Sequence, residues 1–552
     1  MRVLLAAINA KYAHMGLAVR RLKAYCAEYD VTVREYTINN SEESVLADIF
    51  SFAPDALGIS CYIWNIDMAR RLAGNLKKIL PRLVIVAGGP EVSFCPDEVL
   101  NGYFDIVALG DGERAFKRLL ETGFKNVEGI SGIAFRGENG ETVINPASAP
   151  VDINELPFPY DENDSFENKT AYYESSRGCP FHCSYCMSGT ERLVLKDAKK
   201  CFSEIQFFID KGAKRVKFTD RTFNCSKTRA MDIWRYIIEN DAGTTNFHFE
   251  IAADLLDDEQ IKLLSRARKG LFQFEVGVQS ANVATLAAVN RKTDLERIAK
   301  NVRAIKNARV NLDLIVGLPL ESYESFKRSF DFAYALCPNG LHIGFLKALK
   351  GSALRAEAAR YGIIYRDSAP YETLCTNDIS YGEILKLKGI EQMVEVYYNS
   401  ERCVQSFARA VLAFPSPFSF YEAFFAFGEN KKSRGKLGEY WLAHEFFNEY
   451  MSRDILFLED LLLFDTLSFE KTPTMPEWAA QPTSLEAESV KKALARLGLK
   501  GRFARVAKFR HDIAEWIRNR RKVERIVFLA FDYNGAKKGP RYDFHELREA
   551  GD

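Results

Sequence analysis

At 552 residues the chain is too long for one ordinary hydrophobic core, and about three domains are expected. Its 47% apolar and 27% charged residues are those of a globular protein, with no low-complexity segment. A net charge of +1 supplies no general field for nucleic acid or an anionic membrane, so such a partner needs a local patch. The run Val3–Ile8 is too short for a signal peptide and is followed by Lys11. No run of about eighteen uncharged apolar residues is present, so no spanning helix is expected.

From the N-terminus, short apolar runs alternate with amphipathic stretches. Val3–Ile8, Val31–Ile38, Ala56–Ile63, Leu83–Ala87 and Asp105–Leu109 read as strands, and Gly16–Tyr29, Ser41–Phe52 and Asp67–Ile79 as helices. That alternation implies parallel pairing with right-handed crossovers, hence a flavodoxin-like (Rossmann-like) doubly wound sheet over residues 1–145. Ligands of such sheets sit outside the carboxyl ends of the strands. Two glycine-bearing loops fall there, Gly88-Gly89-Pro90-Glu91 and Gly110-Asp111-Gly112-Glu113. Glycine lets backbone approach a bulky ligand closely. Asn9–Gly16, with Asn9 and His14, and Cys61–Asn65 complete the rim. Ile133–Phe135 and Thr142–Ile144 around Glu138-Asn-Gly140 signal a hairpin. Residues 146–170, rich in Pro, Asn and Asp, read as a linker.

The next stretch, Glu174-Ser-Ser-Arg-Gly-Cys-Pro-Phe-His-Cys-Ser-Tyr-Cys-Met, sets Cys179, Cys183 and Cys186 at C-x3-C-x2-C spacing. Three thiolates so close suit a soft metal centre. Zinc calls for a fourth ligand, and His182 lies at an unusual offset for one. A four-iron cluster with one open iron needs only three. The other eight of the eleven cysteines are scattered singly, which fits free thiols in a reducing cytoplasm.

Strand and helix patterns alternate again over 171–365. Strands are expected at Arg215–Thr219, Phe247–Ala252, Phe272–Gln279, Asn311–Val316 and His342–Leu346, after a first one that feeds the cysteine loop. Six such units close into a partial (β/α)6 barrel, with the active site at the strand carboxyl ends. Polar residues stand at or inside those strands: Asp220, Glu250, Asp254, Glu275, Gln279 and Ser280. Charges there cost several kcal/mol unless paired or used. Lys347 and Lys350 follow the last strand and read as solvated.

Residues 366–552 are mostly helical by periodicity, with a strand at Val527–Phe531. Six phenylalanines within 414–427 read as core or as a lid. Residues 500–525 carry ten lysines and arginines against three acids, with Phe503, Phe509 and Trp516 interleaved. This basic patch reads as a solvated helix face, with RNA or a phosphorylated substrate as the alternative.

The Gly178-Cys179-Pro180 opening and Tyr185 before the third cysteine resemble the cluster loop of radical S-adenosyl-L-methionine (SAM) enzymes. The two glycine loops ahead of it resemble the cobalamin-binding domain of one class of those enzymes. Asp-x-His-x-x-Gly, a common source of the lower cobalt ligand, is absent from the sequence. His14 is a candidate for that role.

The resemblance implies a [4Fe-4S] cluster on Cys179, Cys183 and Cys186, SAM on its open iron, and cobalamin on the first domain. It carries Tyr185, Asp220, Glu275, Gln279 and Gly317 to the SAM site. The last three stand in patterns similar to the family's E-x-G-x-Q-S and D-x-I-x-G-x-P-x-E. For cobalamin it implies Asn9, His14, Gly88, Gly89, Glu91, Gly110, Gly112 and Glu113. The implied reaction is reductive SAM cleavage followed by methylation or rearrangement of an unactivated carbon. It requires a reductant such as flavodoxin or ferredoxin, and the substrate is a small molecule, peptide or RNA. Radical chemistry without cobalamin, or a non-catalytic cobalamin or redox sensor, are the alternatives.

Overall fold

The computed structural model describes all residues except 191, 430, 432–434, 472–473, 497–503, 534–541 and 548–552. The chain divides into two compact units. One comprises Met1–Phe326, Leu336–Pro338 and Gly344–Tyr381, the other Lys327–Ala335, Asn339–Ile343 and Gly382–Asp552.

The first unit begins with β1 (Val3–Asn9), α1 (Leu17–Tyr25), β2 (Val31–Thr37), α2 (Glu42–Phe52), β3 (Ala56–Ser60), α3 (Ile66–Ile79), β4 (Val84–Gly88), β5 (Ile106–Ala108) and α4 (Gly112–Glu121). The hairpin β6 (Ile133–Arg136) and β7 (Thr142–Ile144) follows. The sheet order is β2-β1-β3-β4-β5-β6-β7. The first five strands pair in parallel, and β6 and β7 join antiparallel. β1 is covered on both faces, which is why it is apolar throughout rather than alternating. Leu4, Ala6 and Ile8 pack under α2 and α3, while Val3, Leu5 and Ala7 face Val19, Phe116 and Leu119. The strand order reverses at β1, so the connections that follow the paired strands β1 and β3 lead in opposite directions, the place where such sheets bind ligands.

The second sheet is built from β8 (Ala171–Tyr173), β9 (Arg215–Phe218), β10 (Asn246–Ile251), β11 (Phe272–Gln279), β12 (Arg309–Val316) and β13 (Gly340–Phe345), paired in chain order. The five strands from β8 to β12 run parallel. Helices α5 (Ala198–Asp210), α6 (Lys227–Glu239), α7 (Asp258–Leu264), α8 (Leu295–Ala304) and α9 (Tyr323–Tyr334) intervene. Side chains alternate. Phe218, Phe249, Phe272 and Phe274 turn outward and join Phe223 and Trp234, with Phe249 4.3 Å from the rings of Phe218 and Phe223. Lys217, His248, Glu250, Glu275, Asn311 and Asp313 fall on the opposite, inner face.

The second unit holds α10 (Tyr381–Val394), α11 (Val404–Ala410), α12 (Pro417–Gly428), α13 (Gly435–Tyr450), α14 (Ile455–Phe469) and α15 (Ser484–Arg496). It ends in an antiparallel sheet of β14 (Ala504–His511), β15 (Glu524–Asp532) and β16 (Asp543–Leu547), with α16 (Ile513–Asn519) between the first two. The expected helix face at 500–525 is therefore a strand, a short helix and a second strand; residues 500–503 lie outside the described residues. Ala507, Phe509 and His511 point into the core and alternate with Lys508 and Arg510. Alanine and histidine are weak strand markers, so the period of two is masked.

Several of the described cations of that patch are ion-paired, and Arg518, Arg520, Arg521, Lys522 and Arg525 are exposed. Lys508 meets Glu486, Arg510 meets Glu459 and Asp460, Lys522 meets Asp454, and Arg525 meets Asp512 and Glu546. The phenylalanines of α12 are core: Phe418, Phe420 and Phe424 are buried against Phe407, Phe446 and Phe330. Among the described residues no single helix is long and apolar enough to cross a membrane.

Candidate functional site

The cysteine loop leaves β8 at the carboxyl edge of the second sheet. Its entry is fixed by Asp220, fully buried at the end of β9. The carboxylate accepts hydrogen bonds from Ser175 N at 2.8 Å, Ser175 Oγ at 2.5 Å and Ser176 N at 3.0 Å. Burial pushes this carboxyl up, against the pull of Ser175 and Arg229. Asp220 thus holds the strand before the loop. Arg229 adds a bond from Nη2 to the Ser175 carbonyl at 2.7 Å. Gly178, at φ +81°, turns the chain into Cys179.

Cys179, Cys183 and Cys186 are all free thiols. Cys186 N donates to the Cys183 carbonyl at 3.0 Å, closing a tight turn. Neighbouring elements pin the loop: Ser184 N donates to Val289 O, Leu354 N to Ser184 O, and Asn290 Nδ2 to His182 O, at 2.8–3.0 Å. Cys183 and Cys186 line a cavity of about 500 Å³ with His182, Ser184, Asn290 and Tyr361. Arg291 Nη1 lies 3.7 Å from Cys183 Sγ and donates to the Tyr185 hydroxyl at 3.2 Å. Cys179 Sγ is 3.6 Å from Thr222 Oγ1. Elsewhere in the chain, burial pushes the Cys26 and Cys61 thiols up to about 12, so those remain protonated. Three free thiols on one pinned loop, beside a cavity and a cation, fit a group that needs three thiolates.

The barrel's inner face carries the remaining expected SAM residues. Glu275 Oε1 lies 2.9 Å from His248 Nε2 and accepts from Asn311 Nδ2 at 2.9 Å and Gln273 Nε2 at 3.1 Å. Burial opposes ionisation there, but the bonds and charge of His248 and the amides win, and the carboxyl is held below its usual range. Asp313, on the adjacent strand, lies within 4.8 Å of a Glu275 oxygen. Burial first, then Glu275 and Glu250, push its carboxyl up to about 7. Gln279 ends β11 in the left-handed region at φ +67°, beside an irregular register, and its Oε1 is buried with no hydrogen-bond partner. An orphaned acceptor on a strained backbone at a strand end fits a hydroxyl- or amine-bearing ligand. Gly317, at φ +87°, turns the chain after β12. Asp254 accepts from Thr293 Oγ1 and Asp294 N, which makes it a structural link.

On the first sheet the two glycine loops behave differently from each other. Gly89 has φ +112°, and an added Cβ would stand 2.6 Å from the Cys61 carbonyl, so this loop is packed against β3. Glu91 is buried, bonded by the Tyr371 hydroxyl and 3.4 Å from Lys350 Nζ, which also reaches Glu98 at 2.5 Å. Lys350 is buried, not solvated as the sequence suggests. Gly110 has φ +64° and open space where a Cβ would stand, and Gly112 is nearly as open. Glu113 is buried and paired with Arg177 at 2.9 Å.

Asn9 Nδ2 donates to the His14 carbonyl and to Glu35, so it shapes the rim. The His14 ring packs edge-on to Tyr172 at 5.7 Å, and burial and Lys11 hold it below its usual range. Tyr62 and Trp64, stacked at 4.4 Å at the end of β3, add a half-open aromatic pair. Sequence reasoning placed that segment on the rim without singling out the pair. The open Gly110 tip and the Tyr62–Trp64 pair both follow carboxyl ends of strands in this sheet. Arg177, Tyr371 and Arg291 were also missed in these roles, because each acts through a partner remote in sequence.

Residues 3–120 match the B12 binding domain model and residues 173–333 that of the Radical SAM superfamily. Residues 359–535 match a family described as Protein of unknown function (DUF4080). A 2-(S-pantetheinyl)-carbapenam-3-carboxylate methyltransferase of Streptantibioticus cattleyicolor is 28% identical over 50% of this chain and 44% of its own. An anaerobic magnesium-protoporphyrin IX monomethyl ester cyclase of Rubrivivax gelatinosus is 25% identical over 55% of this chain and 58% of its own. The chain spans about half the length of these relatives. The solved structure of OxsB, a cobalamin-dependent S-adenosylmethionine radical enzyme with aqua-cobalamin and S-adenosylmethionine bound, is 13% identical. It covers 90% of this chain and 81% of its own at a TM-score of 0.58, a likeness of fold.

Proposed function

We propose that this chain, which belongs to the radical SAM superfamily and carries a B12-binding domain ahead of its barrel, is a cobalamin-dependent methyltransferase of an unactivated carbon. The observation that carries the reading is the free, pinned thiol triad at the barrel's carboxyl edge, in one compact unit with a sheet whose Gly110 loop tip is open. When bound, the cluster and SAM supply one-electron cleavage of the sulfonium C–S bond, and cobalamin supplies a methyl group.

The chain's own residues hold and orient. Cys179, Cys183 and Cys186 ligate as thiolates, with Arg291 balancing charge at Cys183. Asp220 fixes the entry of the loop. Gln279, Glu275, Gly317 and Tyr185 bound the SAM region, and Asp313 holds a proton there near neutrality. Gly88, Gly110, Gly112 and the rim from Asn9 form the cobalamin seat; Glu91 and Glu113 act by tying that seat to the barrel. The electron comes from a small reductant such as flavodoxin or ferredoxin, and the free thiols suit a reducing cytoplasm.

The test is anaerobic reconstitution with iron and sulfide, then SAM and a chemical reductant. The natural chain forms 5′-deoxyadenosine, and Cys183→Ala forms at most about a hundredth as much, since the triad acts as a unit. Equal formation by Cys183→Ala would contradict the assignment.

A further inference from the structure

Arg177 stands two residues before Cys179 and spends its guanidinium on three carboxylates. Nε and Nη2 form a fork on Glu174 at 3.0 Å each, Nη2 reaches Glu113 at 2.9 Å, and Nη1 reaches Asp111 at 2.8 Å. Glu174 belongs to the barrel's first loop. Asp111 and Glu113 flank Gly112 where the loop after β5 enters α4, next to the open Gly110. Arg21 of α1 completes the set, 3.2 Å from Glu174. The side chains of Arg21 and Glu113 are 4% and 7% exposed, and that of Arg177 20%. Stability alone does not call for this arrangement, because apolar residues of similar volume hold such an interface equally well. Its distinctive product is registry: a planar fork fixes the Asp111–Glu113 segment relative to the first cysteine in both distance and orientation.

We propose that Arg177 is a positioning residue that couples occupancy of the loop after β5 to the order of the cysteine loop, so that cobalamin on one and the iron–sulfur cluster on the other each favour binding of the other. The inference rests on the cofactor reading above. By linkage the coupling is reciprocal, and couplings of this kind are typically about 5–150-fold in affinity.

The experiment uses the full chain, without and with an anaerobically reconstituted cluster, and hydroxocobalamin as probe. Affinity is read from the cobalamin absorbance, and hydrogen exchange is read over residues 177–188. In the natural chain the cluster tightens hydroxocobalamin at least about fivefold, and hydroxocobalamin slows exchange in the loop. In Arg177→Gln both groups bind and the dependence is lost. Arg177→Lys restores only part of it, since an ammonium cannot fork across the carboxylates. The pair Asp111→Asn with Glu113→Gln, which leaves Arg177 on Glu174, gives the same loss and stands in if Arg177→Gln does not fold. Retention of the coupling in these variants overturns the proposal, as does independent binding of the two groups by the natural chain. A natural chain that takes up a cluster but no hydroxocobalamin overturns the cobalamin reading and this coupling together.

Discussion

Asp313 is a carboxyl whose protonation depends on its place. Burial and the carboxylates of Glu275 and Glu250 raise it to about 7 from 3.8, while Lys217 and Arg291 pull the other way. The folded chain therefore keeps a proton that the unfolded chain sheds. Its contribution favours folding below pH 4, declines as pH rises to about 7, and is flat above. Asp313→Asn is expected to match the natural chain near pH 4 and to be more stable at pH 8. The gain is at most about 4 kcal/mol, read from unfolding midpoints across pH without cofactors. A penalty at pH 8 would mean that the carboxylate is stabilised. The neighbouring Glu275 shows the opposite balance on the same wall, because His248 and two amides offset its burial. The sequence motif names both carboxylates, but only their partners show which one holds a proton.

At the scale of elements, the ends of helices and strands carry the polar work. α11 starts on a fully buried Asp465, which accepts from Ser406 N and Oγ at 2.8 Å and from Gln405 N. Asp465→Asn keeps the shape and removes the charge from a helix N-terminus. It is expected to cost about 2–4 kcal/mol, seen as faster exchange of the α11 amides. Unchanged protection would show that the amide serves as well. Elements with clean periodicity were legible. β11 runs Phe272–Gln279, as the sequence suggests, and α3 runs Ile66–Ile79, one residue longer than the expected Asp67–Ile79. Residues 504–511 were not, because Lys508 and Arg510 dominate the pattern while the inward residues are Ala507, Phe509 and His511. The pairing of Lys508, Arg510 and Lys522 with Glu486, Asp460 and Asp454 weakens the case for nucleic acid at those three positions.

For the whole molecule, the two α/β sheets and the cysteine loop could be read from spacing alone, because parallel strands buried on both faces and a C-x3-C-x2-C triad are local signals. What could not be read is which polar residues link one sheet to the other. Glu91 and Glu113, expected as ligand contacts, are ion-paired to Lys350 and Arg177, which lie far along the chain. Those bridges tie the loops after β4 and β5 to Lys350 and Arg177, and the proposed function depends on cluster and cobalamin sites being filled in one chain. The most direct test is the metal content of full-length protein isolated without oxygen from cells grown with cobalamin. We expect about four irons, about four sulfides and about one cobalt per chain, with iron and sulfide lost in Cys183→Ala and cobalt retained. Zinc in place of iron, or cobalt at trace level in an iron-replete natural chain, would contradict it.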